Sequence, residues 1–168
     1  EWKEKRFKGD PWRIGDTYHT AIGQYGFQVT PIEMVRAVSA IANGGKLLTP
    51  HIILGDSIKE NQFSVLDFKK EHFNIARQGM RLAVTFGTAV SMNAPYAQIA
   101  AKTGTAQVGV AKNKVNSWVI GFFPYENPKY AFAVMMEAGP SATGSGAASI
   151  IMRQLLDWMS INTPEYFK

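Results

Sequence analysis

Val115-Asn116-Ser117-Trp118-Val119-Ile120-Gly121-Phe122-Phe123, followed after Pro124-Tyr125-Glu126-Asn127-Pro128 by Tyr130-Ala131-Phe132-Ala133-Val134-Met135-Met136-Glu137, is the stretch that decides the fold. Both runs are rich in β-branched and aromatic residues, and the Pro/Asn segment between them predicts a hairpin. Side chains alternate across a strand. In the first run Trp118, Ile120 and Phe122 share one side, and Val119 and Phe123 share the other. In the second, Phe132 and Val134 oppose Ala131, Ala133 and Met135. Both faces are apolar, and a strand apolar on both faces is covered on both. The expectation is an α+β fold: an antiparallel sheet flanked by helices on both faces.

Working outward, Gln98 to Val108 reads as a further strand. Downstream, a Gly/Ser/Ala-rich turn from Gly139 to Gly146 leads into a helix over 147–160, with Ile150, Ile151, Leu155, Trp158 and Met159 as its expected buried stripe. Upstream, a helix over 69–86 carries Phe73, Ala76, Met80, Ala83 and Val84 near one face and closes at Gly87. A further helix over 31–43 has a complete start signal. Thr30 caps, Pro31 fits the first position, and Glu33 completes a capping box. Ile32, Val35, Val38, Ser39 and Ala42 follow at helical spacing, and Asn43-Gly44-Gly45 ends it. Lys46 to Leu54 is a short extended stretch, and 56–67 a polar surface segment. Residues 1–29, broken by Pro11, Gly15, Gly23 and Gly26, read as loops and short elements.

Bulk properties bound the function. With 168 residues and 46% hydrophobic residues, the chain supports one globular core. The net charge of +5 comes from scattered cations. The densest basic stretch, Lys3 to Lys8, is interrupted by Glu4 and carries no nucleic-acid signature, so it reads as a solvated segment. There is no cysteine, which excludes disulfides and cysteine metal sites. His19, His51 and His72 lack ligand spacing, so neither metal nor cofactor is implied. No run of 18 apolar residues crosses a membrane. Glu1-Trp2-Lys3-Glu4-Lys5 does not have the form of a signal peptide and reads as polypeptide interior.

The chemistry concentrates in Ala101-Lys102-Thr103-Gly104-Thr105-Ala106. Alternation puts Thr103 and Thr105 on the same face, about 7 Å apart. Two hydroxyls beside an ammonium form a receptor for a carboxylate. Gly104 lets another backbone approach. An open edge here accepts a peptide as an added strand, and its N–H groups suit a developing oxyanion. Lys-Thr-Gly alone is a short and weak signal. It is also the third motif of β-lactamases and penicillin-binding proteins, after Ser-x-x-Lys and Ser-Asp-Asn.

Further segments strengthen that resemblance. Gly15-Asp16-Thr17, Ile22-Gly23-Gln24 and Val29-Thr30-Pro31 resemble the run before a helix of class B penicillin-binding proteins, and Ala40-Ile41-Ala42-Asn43-Gly44-Gly45 resembles the end of that helix. Gly87-Thr88-Ala89, Ala101 to Gln107, Trp118, Gly121-Phe122, Asn127-Pro128 and Glu137 continue in family order. The resemblance covers about Pro11 to Trp158. Ile22-Gly23-Gln24 and Glu137-Ala138-Gly139 look most like the elongation-type member, penicillin-binding protein 2. The resemblance implies that residues 1–168 are the C-terminal portion of a single transpeptidase domain of the β-lactamase/transpeptidase-like fold.

In that family a serine attacks the D-alanyl carbonyl of a peptidoglycan stem peptide, and an amine of a second stem peptide resolves the acyl-enzyme into a crosslink. By analogy Lys102 holds positive potential over the cleft, Thr103 and Thr105 bind the terminal carboxylate of substrate or β-lactam, Gly104 gives clearance, and the Thr105 backbone N–H is an oxyanion donor. Gln107 and Asn116 to Trp118 have two readings, as lining of the cleft or as structural residues, and the structural reading is preferred. No Ser-x-x-Lys occurs, so the nucleophile and its base are expected upstream. Ser91-Met92-Asn93 has the letters of the second motif in the wrong place and reads as a decoy. The resemblance further implies an MreC-type scaffold, a RodA-type glycosyltransferase, a periplasmic location and an N-terminal membrane anchor outside this chain. The rival readings are a β-lactamase or carboxypeptidase of the same superfamily, a non-catalytic scaffold or β-lactam sensor, and an unrelated α+β binding module.

Overall fold

Strands β3 (Ala100–Val108), β4 (Lys114–Phe123) and β5 (Tyr130–Pro140) form an antiparallel sheet in the order β3-β4-β5. The computed structural model describes residues 1–24, 26–52, 63–109, 113–141, 144 and 146–167. Among them the helices are α1 (Trp2–Arg6), α2 (Ile14–Ala21), α3 (Pro31–Ala42), α4 (Lys70–Thr85) and α5 (Ala147–Asn162). A small separate sheet pairs β1 (Lys46–Leu48) with β2 (Phe63–Val65). Most of the expected 56–67 segment lies outside the described residues, but its end is this short strand. Every residue of β2 is exposed, so no buried face marks it in the sequence.

The two apolar faces of β4 are covered as expected. On one face Phe122 and Ala100 pack with Val38 and Ala42 of α3 and Met80 of α4. On the other, Val119, Phe123 and Phe132 pack with Ala148, Met152 and Leu156 of α5. The start of α3 follows its sequence signal. The Thr30 hydroxyl accepts from the Glu33 N–H at 3.4 Å, and the Glu33 carboxylate accepts from the Thr30 N–H at 2.7 Å.

One expectation is corrected. Helix α5 does not bury Ile150, Ile151, Leu155 and Trp158, which are all exposed. It presents Ala148, Met152 and Leu156 instead. The helix is apolar on more than one side, so size alone does not choose the buried face. Polar ties set its rotation. Ser117 Oγ accepts from the Ala148 N–H at 3.2 Å, Ser91 Oγ donates to Ser149 Oγ at 2.9 Å, and Arg153 donates to the Asn93 carbonyl at 2.7 Å. Ser91 thus ties the Val90–Met92 turn to α5.

Residues 1–29 hold more structure than their sequence suggests. Lys3 on α1 is 2% exposed, and its ammonium meets Asp10 at 2.8 Å, Asp16 of α2 at 2.7 Å and the Pro11 carbonyl at 2.8 Å. Hydrogen bonding to Asp10, then to Asp16, raises the Lys3 pKa, and hydrogen bonding to Lys3 lowers both carboxylates. The Trp2 ring lies so close over Gly26 that a Cβ there would collide with it. Helix α1 is therefore fixed both to α2 and to the segment that follows it.

Candidate active site

Among the described residues, β3 is an edge strand, paired on one side only. In an antiparallel ladder a residue's N–H and C=O point the same way, alternately toward and away from the partner strand. The Gln98 carbonyl accepts from the Tyr125 N–H beyond the end of β4, so even-numbered residues turn inward. The odd-numbered carbonyls meet side chains from elsewhere. Ile99 accepts from Arg81 at 2.9 Å, Thr103 from Lys102 at 2.5 Å, and Thr105 from Gln24 at 3.1 Å. The backbone of Thr103 and Thr105 therefore faces the open edge.

A cleft of about 490 Å³ runs along this edge. Residues 22–24 and 26–29 form one wall and residues 102–108 the other, with Asn116, Trp118 and Ile120 as floor. All four sequence-predicted site residues, Lys102, Thr103, Gly104 and Thr105, line it. The pairing register fixes their faces. Thr103 is opposite Val119 and Thr105 opposite Ser117, on the α5 side of the sheet. Lys102 is opposite Ile120, on the α3 side. The ammonium reaches the edge by curling back to the Thr103 carbonyl. Lysine, with its four-carbon stem, is long enough to do so. The cation thus approaches the strand edge from the face opposite the two hydroxyls.

Gly104 lies opposite Trp118, and a Cβ built there would sit 3.4 Å from Trp118 Cβ, an ordinary contact. Its φ is not positive. Nothing among the described residues requires glycine at this position, so the space it leaves belongs to the cleft.

Two contacts at the site join residues that no motif pairs. Thr88, just after α4, shares a hydrogen bond with Thr103 at 2.7 Å between the hydroxyls. Gln24 reaches Thr105 across 81 residues. Both lie in segments that carry the family resemblance, Gly87-Thr88-Ala89 and Ile22-Gly23-Gln24, and that resemblance is the signal that could have singled them out. Asn116 serves the sheet itself, since its Oδ1 accepts from the Ala138 N–H at 2.9 Å where the β4–β5 register shifts. Among the described residues no cluster of three or more His, Asp or Glu side chains could hold a metal ion, and no helix is long and apolar enough to cross a membrane.

Comparison with known proteins places this geometry. The penicillin-binding protein transpeptidase domain matches residues 4–157. The peptidoglycan D,D-transpeptidase MrdA of Escherichia coli K12 is 34% identical over 188 residues, covering 94% of this chain. The chain spans only 28% of that relative's length. Among solved structures, penicillin-binding protein 2 of Helicobacter pylori, in a complex with MreC, is 34% identical at a TM-score of 0.70, covering 94% of this chain and 30% of that one. Penicillin-binding protein 2 of Pseudomonas aeruginosa, in complex with WCK 5153, is 29% identical at a TM-score of 0.76, covering 96% and 37%. Because the match runs through both cores and the edge strand between them, the chain belongs to the penicillin-binding protein transpeptidase family.

Proposed function

We propose that this chain is the C-terminal portion of a peptidoglycan D,D-transpeptidase domain and that it holds the stem peptide while a serine supplied from upstream is acylated. The observation that carries the reading is the open edge of β3, where the odd-numbered backbone groups and the Lys102 ammonium meet one cleft. The stem peptide lies along this edge as an added strand. Its terminal carboxylate takes the hydroxyls of Thr103 and Thr105 and the field of Lys102. A hydroxyl donates one proton and accepts at two lone pairs. When Thr88 donates to Thr103, the Thr103 proton is left for the carboxylate. As the serine adds to the carbonyl, the Thr105 N–H takes the developing negative charge. Departure of D-alanine leaves the acyl-enzyme, and a second stem peptide's amine resolves it.

The same reading assigns β-lactam binding to this cleft and a periplasmic location with an anchor outside this chain. An MreC-type scaffold is the proposed partner, supported by the MreC complex of the Helicobacter pylori relative. A RodA-type glycosyltransferase is proposed from the family resemblance alone.

Intact-mass measurement after incubation with a penicillin tests the proposal. The 168-residue chain is expected to stay unmodified, while a longer polypeptide carrying the upstream Ser-x-x-Lys gains one penicilloyl group. Acylation of the 168-residue chain itself would overturn the placement of the nucleophile and return attention to Ser91. A longer polypeptide that is never acylated would mark a non-catalytic scaffold.

A further inference from the structure

Three carbonyls at and just before the open edge of β3 are capped by side chains. Arg81, anchored on α4, takes Ile99; Lys102 takes Thr103; Gln24 takes Thr105. Such capping suppresses unwanted strand pairing at a sheet edge. It also conflicts with adding a peptide there, because an incoming strand needs the same carbonyls. The three caps are not equivalent. Arg81 and Lys102 are charged, and charge-assisted bonds are about twice as strong as neutral ones. Gln24 donates a neutral amide. It sits between Gly23 and Gly26, which have φ of +75° and +74°, on the segment that forms one wall of the cleft. Glycines at positive φ give that segment conformations other residues rarely adopt.

We infer that Gln24 is a displaceable cap on the Thr105 carbonyl, and that it sets how far along β3 a peptide strand extends. The inference rests on the strand-addition reading above. With Gln24 in place, a peptide meets the Thr105 N–H but not the Thr105 carbonyl. A peptide with an amide N–H aimed at Thr105 displaces the cap and gains one more ladder bond. A ligand lacking that amide leaves Gln24 where it is. Gln24 is then a specificity-determining residue that selects for an extended acyl peptide.

Titration of the 15N-labelled 168-residue chain with Nα,Nε-diacetyl-L-Lys-D-Ala-D-Ala, followed by NMR, tests this. In the wild type, the Gln24 side-chain amide resonances shift together with the backbone amides of Thr103 and Thr105. Gln24→Met keeps the length and removes the donor without adding charge, and Gln24→Ala removes both. A neutral hydrogen bond is worth about 0.5–1.5 kcal/mol net, so both variants bind the peptide about 2- to 10-fold more tightly. A residue that merely supports the cleft wall would show the opposite sign. Unchanged or weaker binding in Gln24→Met, with core methyl shifts retained, overturns the inference. So does a wild-type Gln24 amide that stays still while Thr105 shifts. If no β3 amide moves in any of the three proteins, the strand-addition reading itself falls, and this inference with it.

Discussion

Gly104 separates stability from binding within one residue. A glycine inside a strand costs about 0.5–1 kcal/mol relative to alanine. Among the described residues no contact clashes with a Cβ at this position. Gly104→Ala is therefore expected to raise the unfolding free energy by up to about 1 kcal/mol in a urea titration. The same methyl narrows the cleft, so penicilloylation of the longer polypeptide should slow. Gly121 gives the contrast. A Cβ there would collide with the Ala100 carbonyl and the Phe132 ring. Gly121→Ala should destabilise by about 1–3 kcal/mol by the same measurement, the cost of overpacking a core. The two glycines look alike in the sequence. Only the cross-strand neighbours, Trp118 for one and Ala100 with Phe132 for the other, tell them apart.

Among the elements, α1 and α2 are tied together by an ion-pair cluster whose strength depends on pH. The Asp10 and Asp16 carboxylates are held below their ordinary value of 3.8 by Lys3, so their contribution is present above that value and is lost as pH falls below it. Lys3 is raised above its ordinary 10.5, so its contribution is present below that value and is lost as pH rises past it. The α1–α2 clamp is expected to hold from about pH 4 to about pH 10.5 and to weaken progressively outside that range. Limited proteolysis across pH should show cleavage within residues 1–13 that increases as pH falls below about 4, while the three-stranded sheet stays protected. Cleavage that does not depend on pH would mean that Trp2 packing, and not the ion pairs, holds the segment. These helices were illegible in the sequence because long-range charge contacts stabilise them. Helix α3 was legible because its capping box is local. Thr30→Ala should cost about 1 kcal/mol in the same urea titration.

Over the whole molecule, β4 divides two cores that share its backbone. Phe122 belongs to the α3/α4 core and Leu156 to the α5 core. Phe122→Ala should cost about 3–5 kcal/mol and Leu156→Ala about 2–5 kcal/mol. Because one strand serves both cores, each variant should show a single cooperative transition by circular dichroism, shifted as a whole. Two separated transitions would mean that the cores fold independently. The sheet and both covering layers were legible because alternation within β4 records which side each residue faces. The rotation of α5 was not, since Ser117, Ser91 and Arg153 set it from distant segments. The candidate site divides in the same way. Lys102 to Thr105 are contiguous and could be read directly. Gln24 and Thr88 enter only when the chain folds back on itself.

The Trp2 ring over Gly26 carries an optical consequence. Trp2 touches one wall of the cleft, and Trp118 forms its floor. Of the chain's four tryptophans, Trp12 and Trp158 do not line the cleft. With those two replaced by phenylalanine, the remaining indoles flank the cleft as intrinsic fluorophores. Emission wavelength and quenching by iodide would then report movement of the Gln24 segment directly, without any label.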